Sequence, residues 1–237
     1  MDENEIIRDD KLNSILHKDD SLKRLDKSFL IHIEKEEYKK SNLLAYWIKD
    51  FSDYHDNENS FDFSTLKAFK RGDIIKANLG FNVGHEFGGL HYCVVINKKD
   101  NQKCGTLNVI PLTSIKEDKI YNTYFNVNLE DEVYSLLINK YNKIYMEASK
   151  ALNEMQMPIM PTKENFEKLK PISDKFSYLR KMEEEISKMK QGSIALVHQI
   201  TTISKQRIFK NNILSGIRIS DSSLNKIDNT LKRVFTK

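Results

Sequence analysis

Cysteine, proline, glycine and tryptophan are all scarce in this 237-residue sequence, which holds 2, 4, 8 and 1 of them. The two cysteines, Cys93 in an apolar run and Cys104 in turn material, form no repeated C-x-x-C pattern. That excludes a disulfide scaffold and a cysteine zinc site, and it fits a reducing cytoplasm. No apolar run approaches the length of a bilayer span, and no basic-then-apolar leader precedes a small-residue cleavage site, so no membrane role is expected. No internal repeat or low-complexity tract is present. No G-K-[ST] follows the glycine cluster at Gly84, Gly88 and Gly89, which disfavours a nucleotide-hydrolysing P-loop.

What is present is ordinary in amount and uneven in placement. Hydrophobic residues make up 39%, aromatics 10% and charged residues 30%. The length allows one large or two modest domains with a sizeable core. A net charge of +4 hides a division: Met1–Leu66 has 10 Lys/Arg against 16 Asp/Glu, and Lys67–Lys237 has 28 against 18. A basic region suits a polyanionic partner such as nucleic acid, and an acidic neighbour in the same chain would mask it. Two simply solvated faces explain the same charges.

The first 66 residues read as a helical extension. Leu22, Leu25, Phe29 and Ile33 recur at helical spacing, as do Leu44, Trp47, Ile48 and Phe51 after Ser41, a candidate N-cap. Tyr46 and Trp47 read as packing residues rather than stacking platforms. Asp53–Ser64, rich in Asp, Asn and Ser, reads as a linker. Further on, at about 130–190, two helical stripes imply an inserted helical hairpin. Val133, Leu137, Tyr141, Ile144, Ala148 and Leu152 form one stripe, and Phe166, Leu169, Phe176, Leu179, Met182, Ile186 and Met189 the other. Met155–Pro161 reads as the break between them. Pro171 is expected to interrupt the second stripe and Ser173 to restart it. Ser220 or Asp221 caps a last helix carrying Leu224, Ile227, Leu231 and Val234.

Between these helical parts lies the stretch that carries the chemistry. Gly72–Leu79, Tyr92–Asn97 and Thr106–Ser114 read as strands, with Asp100–Gly105 as a turn and Gly80–Gly89 as a glycine-rich loop. Thr123–Leu129 and Gly192–Ser204 read as further strands. Three segments match a known signature: Arg71-Gly72-Asp73-Ile74, then Gly84-His85-Glu86-Phe87-Gly88-Gly89-Leu90-His91-Tyr92, then Pro111-Leu112-Thr113-Ser114. Ser193–Ile208, SIALVHQITTISKQRI, matches a later element. The chain thereby resembles the MazF/PemK family of toxin endoribonucleases over Phe69–Leu129 and Gln191–Lys237.

The resemblance implies an α+β fold: a small SH3-like β-barrel with a C-terminal helix, here with an N-terminal helical extension (1–66) and a helical insertion in the barrel domain (67–237). It implies a toxin of a type II toxin–antitoxin system that cleaves single-stranded RNA without a metal or cofactor. The ribose 2′-OH attacks the neighbouring phosphorus, leaving a 2′,3′-cyclic phosphate and a 5′-OH. A cognate antitoxin protein and a homodimer are the implied partners. The alternative is a catalytically silent barrel that binds nucleic acid or protein.

The implied catalytic residues are Thr113, which the family retains, and His91, which stands where the family has Arg. Arginine clamps a phosphate and keeps its charge, whereas histidine titrates near neutrality and exchanges protons. Glu86 is a further acid–base candidate, or a loop hydrogen-bonding group. His85, Phe87, Ser114, Gln199 and Lys205 are candidate RNA contacts, Phe87 by stacking on a base. Packing, loop support and solvation are the competing readings of Phe87, Gln199 and Lys205. Thr201 replaces a frequent family Arg. His85, Glu86, His91 and His198 lack the spacing of a recognised zinc set, and no metal is expected.

Overall fold

A computed structural model of the chain describes residues 3–116, 120–155, 163–189, 192–209 and 213–236. The chain divides into two units, Met1–Asn59 and Ser60–Lys237. The first holds helices α1 (Glu3–Glu34) and α2 (Tyr38–Asp56). Ser41 does not cap α2. Its backbone N–H already donates to the Glu37 carbonyl (3.0 Å), so the helix passes through it, and Ser41 is buried. Trp47 packs against Phe51 and Tyr54 at ring-centroid distances of 5.8 and 6.4 Å. Tyr46, expected to pack, is instead 70% exposed. Leu22, Ile33 and Phe51 of the two helical stripes are exposed as well.

The second unit is built on strands β1 (Ile74–Asn78), β2 (Leu90–Val95), β3 (Thr106–Ser114), β4 (Asn126–Asn128), β5 (Ser193–Leu196) and β6 (Thr201–Ser204). They form one antiparallel sheet in the order β1-β2-β3-β5-β4, with β6 also paired to β3. Side chains alternate across a strand, so adjacent residues feed opposite faces. Ile74, Val94, Ile110 and Leu112 enter one core, and Ile75, Cys93, Val95, Leu107 and Val109 enter another. Both faces are covered, which is why Cys93–Val95 is an unbroken apolar run rather than an alternating one.

Helices α3 (Glu132–Glu154), α4 (Lys163–Lys188) and α5 (Asp221–Phe235) complete the unit. Val133 and Leu137 of α3, Met182 of α4 and Leu224 and Ile227 of α5 share the first core. The inserted hairpin is therefore packed onto the sheet. Its break lies outside the described residues after Met155. Pro171 does not interrupt α4, which runs through it. Proline removes one intrahelical bond, and burial of Ile172, Leu179 and Met182 on the same helix outweighs that loss. Ser220 caps α5, its hydroxyl oxygen accepting from the Ser223 N–H at 3.2 Å.

The sheet departs from the expected closed barrel. The six strands do not close, and β1 is met along its outer edge by isolated bridges, Asp73 to Arg218 and Ala77 to Ile208. The cause is local, because Lys205–Arg207 form a 3-10 turn that breaks β6 before it reaches Ala77. Gly192–Ser204 is likewise two strands, parted by a 3-10 turn at Val197–Gln199. At β4, Asn122 holds Tyr124–Asn126 in a turn. Its side-chain oxygen accepts from the Tyr124 N–H, and its carbonyl accepts from the Phe125 and Asn126 N–H groups, so the strand begins late.

The motif that opens the sheet is structural. Arg71 donates to the Ile96 carbonyl and to Asp228 of α5. Gly72 sits at φ 86, and a Cβ there would stand 3.0 Å from the Arg218 side chain and 3.1 Å from Leu224, so glycine alone fits.

Among the described residues, Lys205 is the largest side chain sealed in this unit. Its ammonium donates to both oxygens of Asp100 (2.8 and 2.9 Å) and to the Asn101 carbonyl (2.9 Å), with both charged side chains 0% exposed. Asp100 also accepts the Phe69 N–H at 2.9 Å. Removing one partner strands the other charge in the interior. Asp100→Ala should lower the unfolding free energy by about 3–5 kcal/mol, read from urea denaturation. A loss within the ordinary surface range of about 0.5 kcal/mol would contradict this account of the pair.

Candidate functional site

The register of β1 on β2 sets Lys76 opposite Tyr92 and Ala77 opposite His91. Strand β2 in turn lies beside β3, whose end carries Thr113 and Ser114. Helix α4 closes over this end of the sheet. The result is a cleft of about 460 Å³ lined by Lys76, His91, Tyr92, Thr113, Ser114, Lys116, Glu185 and Lys188, with Leu90, Leu112, Val133, Met189 and Ser193. Three candidates singled out from the sequence, His91, Thr113 and Ser114, thus share one cavity.

His91 is half-buried. Burial pushes its pKa below the ordinary histidine value, against a hydrogen bond to the Leu112 backbone that favours the cation. It is therefore neutral near pH 7, and with one ring nitrogen donating to that backbone the other is the acceptor of the neutral ring. Phe87 lies against it, ring centroids 4.3 Å apart. Cys93 beside it is no nucleophile, since burial pushes its thiol up to about 12.

The opposite wall is ionic. The Lys76 ammonium donates to Glu185 Oε1 (3.0 Å) and Oε2 (3.1 Å), and the Tyr92 hydroxyl donates to Glu185 Oε2 (2.7 Å). Burial works to raise the Glu185 pKa. The Tyr92 and Lys76 hydrogen bonds and the charges of Lys76 and Lys188 outweigh it, and hold the carboxyl below its usual range. Tyr92 is pushed up, first by burial and then by Glu185.

The glycine-rich loop is braced from outside the cleft. Gly88 passes so close to the Gly80 carbonyl that a Cβ would stand 2.5 Å from it. Gln199 accepts the Phe87 N–H (3.0 Å) and donates to the His85 carbonyl (3.3 Å), so both ends of its amide are committed to loop support. Glu86 is exposed and accepts from the Val83 N–H at 3.3 Å. It stands outside the cleft lining, where its contact with Val83 closes the loop. His85 is exposed on the loop.

Lys205 requires a correction. Expected among the RNA contacts, it is sealed in its pair with Asp100, and its ammonium is inaccessible to any strand. His198 sits by Phe125 with ring centroids 5.6 Å apart. Among the described residues, no three His, Cys, Asp or Glu side chains gather as a metal site. No described helix is long and apolar enough to cross a membrane.

Sequence reasoning missed Lys76, Tyr92, Glu185 and Lys188 as parts of the cleft. Lys76 had a signal: it is a cation between buried Ile75 and Ala77 in strand β1. Glu185 and Lys188 had none, because only tertiary packing carries α4 to the sheet.

Residues 70–140 match the family model described as PemK-like, MazF-like toxins of type II toxin–antitoxin systems. Over that stretch the chain is similar to MazF/PemK-type toxins. The match spans β1 to β4 and the start of α3, so it contains His91 and Thr113 and ends before α4. The Ser193–Ile208 resemblance falls outside it. No curated protein gives a significant match to the chain.

Gln199→Ala should release the Phe87 amide. Loss of one such bond is worth about 1 kcal/mol, so hydrogen exchange at Phe87 should speed up several-fold while protection of β3 stays unchanged. Unaltered exchange at Phe87 would show that Gln199 does not brace the loop.

Proposed function

We propose that this chain is a metal-independent endoribonuclease toxin that cuts single-stranded RNA by 2′-OH attack, and that a cognate antitoxin protein neutralises it. The observation that carries the reading is the single cleft in which neutral His91 stands with Thr113 and Ser114, inside the stretch that matches the toxin family. On this reading the acceptor ring nitrogen of His91 takes the 2′-OH proton as the oxygen attacks phosphorus. The P–O5′ bond breaks, and the leaving oxygen takes a proton from water in the open cleft. The Thr113 hydroxyl, with Ser114 beside it, donates to the phosphoryl oxygens as charge builds there. Phe87 and His85 are the loop groups that face the strand, Phe87 by stacking on a base.

The strands β1-β2-β3-β6, with Ile208 bridging back to Ala77, are read as an SH3-like barrel opened at one seam. A homodimer would join two such units into a basic RNA groove, in a cytoplasmic setting where the antitoxin competes through an acidic segment. The competing reading, a silent binding module, keeps the cleft and loses the chemistry.

Incubation of the purified protein with mixed-sequence single-stranded RNA in EDTA should yield fragments with 5′-OH and 2′,3′-cyclic phosphate ends, lost in Thr113→Ala. Binding without cleavage at every salt concentration would establish the module instead.

The base role of His91 fixes the sign of the pH dependence. Its neutral form is the active one, and burial holds the free protein's pKa below the ordinary value of about 6.5. The kcat/KM should rise as pH increases through that lowered pKa and be level at neutrality, because kcat/KM reports the free enzyme. His91→Ala should cost roughly 100-fold or more. His91→Arg should restore strand binding with little turnover. A profile flat from pH 5 to 9, together with an active His91→Ala variant, would remove His91 from the chemistry.

A further inference from the structure

We propose that Lys76 is the cation that takes an RNA phosphate in this cleft, and that Glu185 of the inserted helix α4 occupies it in the free protein, so that a strand enters by displacing a carboxylate. The choice of an RNA strand as the displacing anion rests on the ribonuclease reading above.

The geometry assigns these roles. Position 91, where the family carries a fixed positive charge, holds a histidine that burial keeps neutral. The cation that the sheet itself contributes to the cleft is Lys76, whose register partner across β1 and β2 is Tyr92. Its ammonium and the Tyr92 hydroxyl converge on one oxygen of Glu185, at 3.1 and 2.7 Å. Two donors aimed at one anionic oxygen form the arrangement a phosphoryl oxygen requires, and a carboxylate presents the same kind of acceptor. Lys188, one turn along α4, adds its charge to the same place.

The pair is not sealed. Lys76 and Glu185 side chains are 21% and 28% exposed and face an open cleft, in contrast to Lys205 and Asp100 at 0%. The pair is open to solvent on the cleft side, so another anion can reach Lys76 and compete with the carboxylate. The origin of the two charges points the same way. Lys76 lies inside the stretch that matches the toxin family and Glu185 outside it, on the insertion. The insertion therefore brings its own counter-ion to the nucleic-acid site.

The test uses the full chain and a mixed-sequence single-stranded oligonucleotide that is 2′-deoxy throughout, which 2′-OH attack cannot cut. Binding is followed by fluorescence anisotropy across a salt series. Glu185→Gln keeps the shape and removes the charge. It should tighten binding about 5–10-fold and steepen the salt slope by about 1, as one more phosphate contact forms. Lys76→Met should weaken binding and flatten the slope by about 1. The double variant should behave as Lys76→Met, because Glu185 acts through Lys76.

Wild-type or weaker affinity in Glu185→Gln overturns the proposal, as does a double variant that binds more tightly than Lys76→Met. If Lys76→Met does not fold, the salt slope of Glu185→Gln decides, an unchanged slope overturning the proposal. The two readings fail separately. The predicted binding pattern without RNA cleavage sinks the ribonuclease and leaves the phosphate site. Thr113-dependent cleavage with no gain in Glu185→Gln sinks this inference alone.

Discussion

Strand β3 keeps β2 along one edge and changes partner along the other, from β6 at Thr106–Val109 to β5 at Leu112–Ser114. The change of partner places Thr113 and Ser114 past the point where β2 pairing ends, beside the incoming β5 rather than in the middle of a uniform sheet. It also fixes where the insertion leaves and returns. The β4–β5 connection is the α3–α4 hairpin, which must span from Asn128 to Ser193, neighbours across the sheet edge. Gly192 makes the return possible. At φ 89 it lies so near Ile115 that a Cβ would stand 2.5 Å from the Ile115 Cδ1.

Two lysines show how burial sorts charge in this unit. Lys205 and Asp100 are sealed together with the Asn101 carbonyl, and a buried pair of that kind tolerates no exchange of partner. Lys76 is also paired with a carboxylate, Glu185 of α4, but in an open cleft where both side chains are partly exposed. Sequence treats the two alike. Their difference is solvent access, decided by the turn that carries Asp100 and by the helix that carries Glu185.

The parts legible in the sequence were those whose signal is local. Thr106–Ser114 was bounded correctly because Asn101 forms a turn with its own side chain just before it and the apolar run is unbroken. The inserted helices were legible from their stripes, and Ser220 from the N-cap pattern. His91, Thr113 and Ser114 came from a motif. Where neighbours overrule local preference, reading failed. Ser41 lies within a helix that starts earlier, Pro171 is carried through by packing, and the 3-10 turns at Val197–Gln199 and Lys205–Arg207 cut one apparent strand into pieces. Lys205 looked like a nucleic-acid contact because its partner is Asp100, 105 residues away.

The position of His91 suits a group that can give up its charge. The side chain is half-buried, between the Phe87 ring and the Leu112 backbone, in a place that depresses its pKa. An arginine held there keeps its charge at any ordinary pH and must satisfy its donors in a confined space. Histidine meets burial by giving up its proton, which leaves an acceptor nitrogen in the cleft. On the proposed reading, the electrostatic demand of a polyanion falls on another group, and Lys76, the register partner of Tyr92, lines the same cleft. Under the proposed division of roles, charge and proton transfer belong to different groups, and the charge alone could be regulated. The Glu185 carboxylate that α4 sets on Lys76 would then lower the cleft's attraction for phosphate without touching the His91 ring.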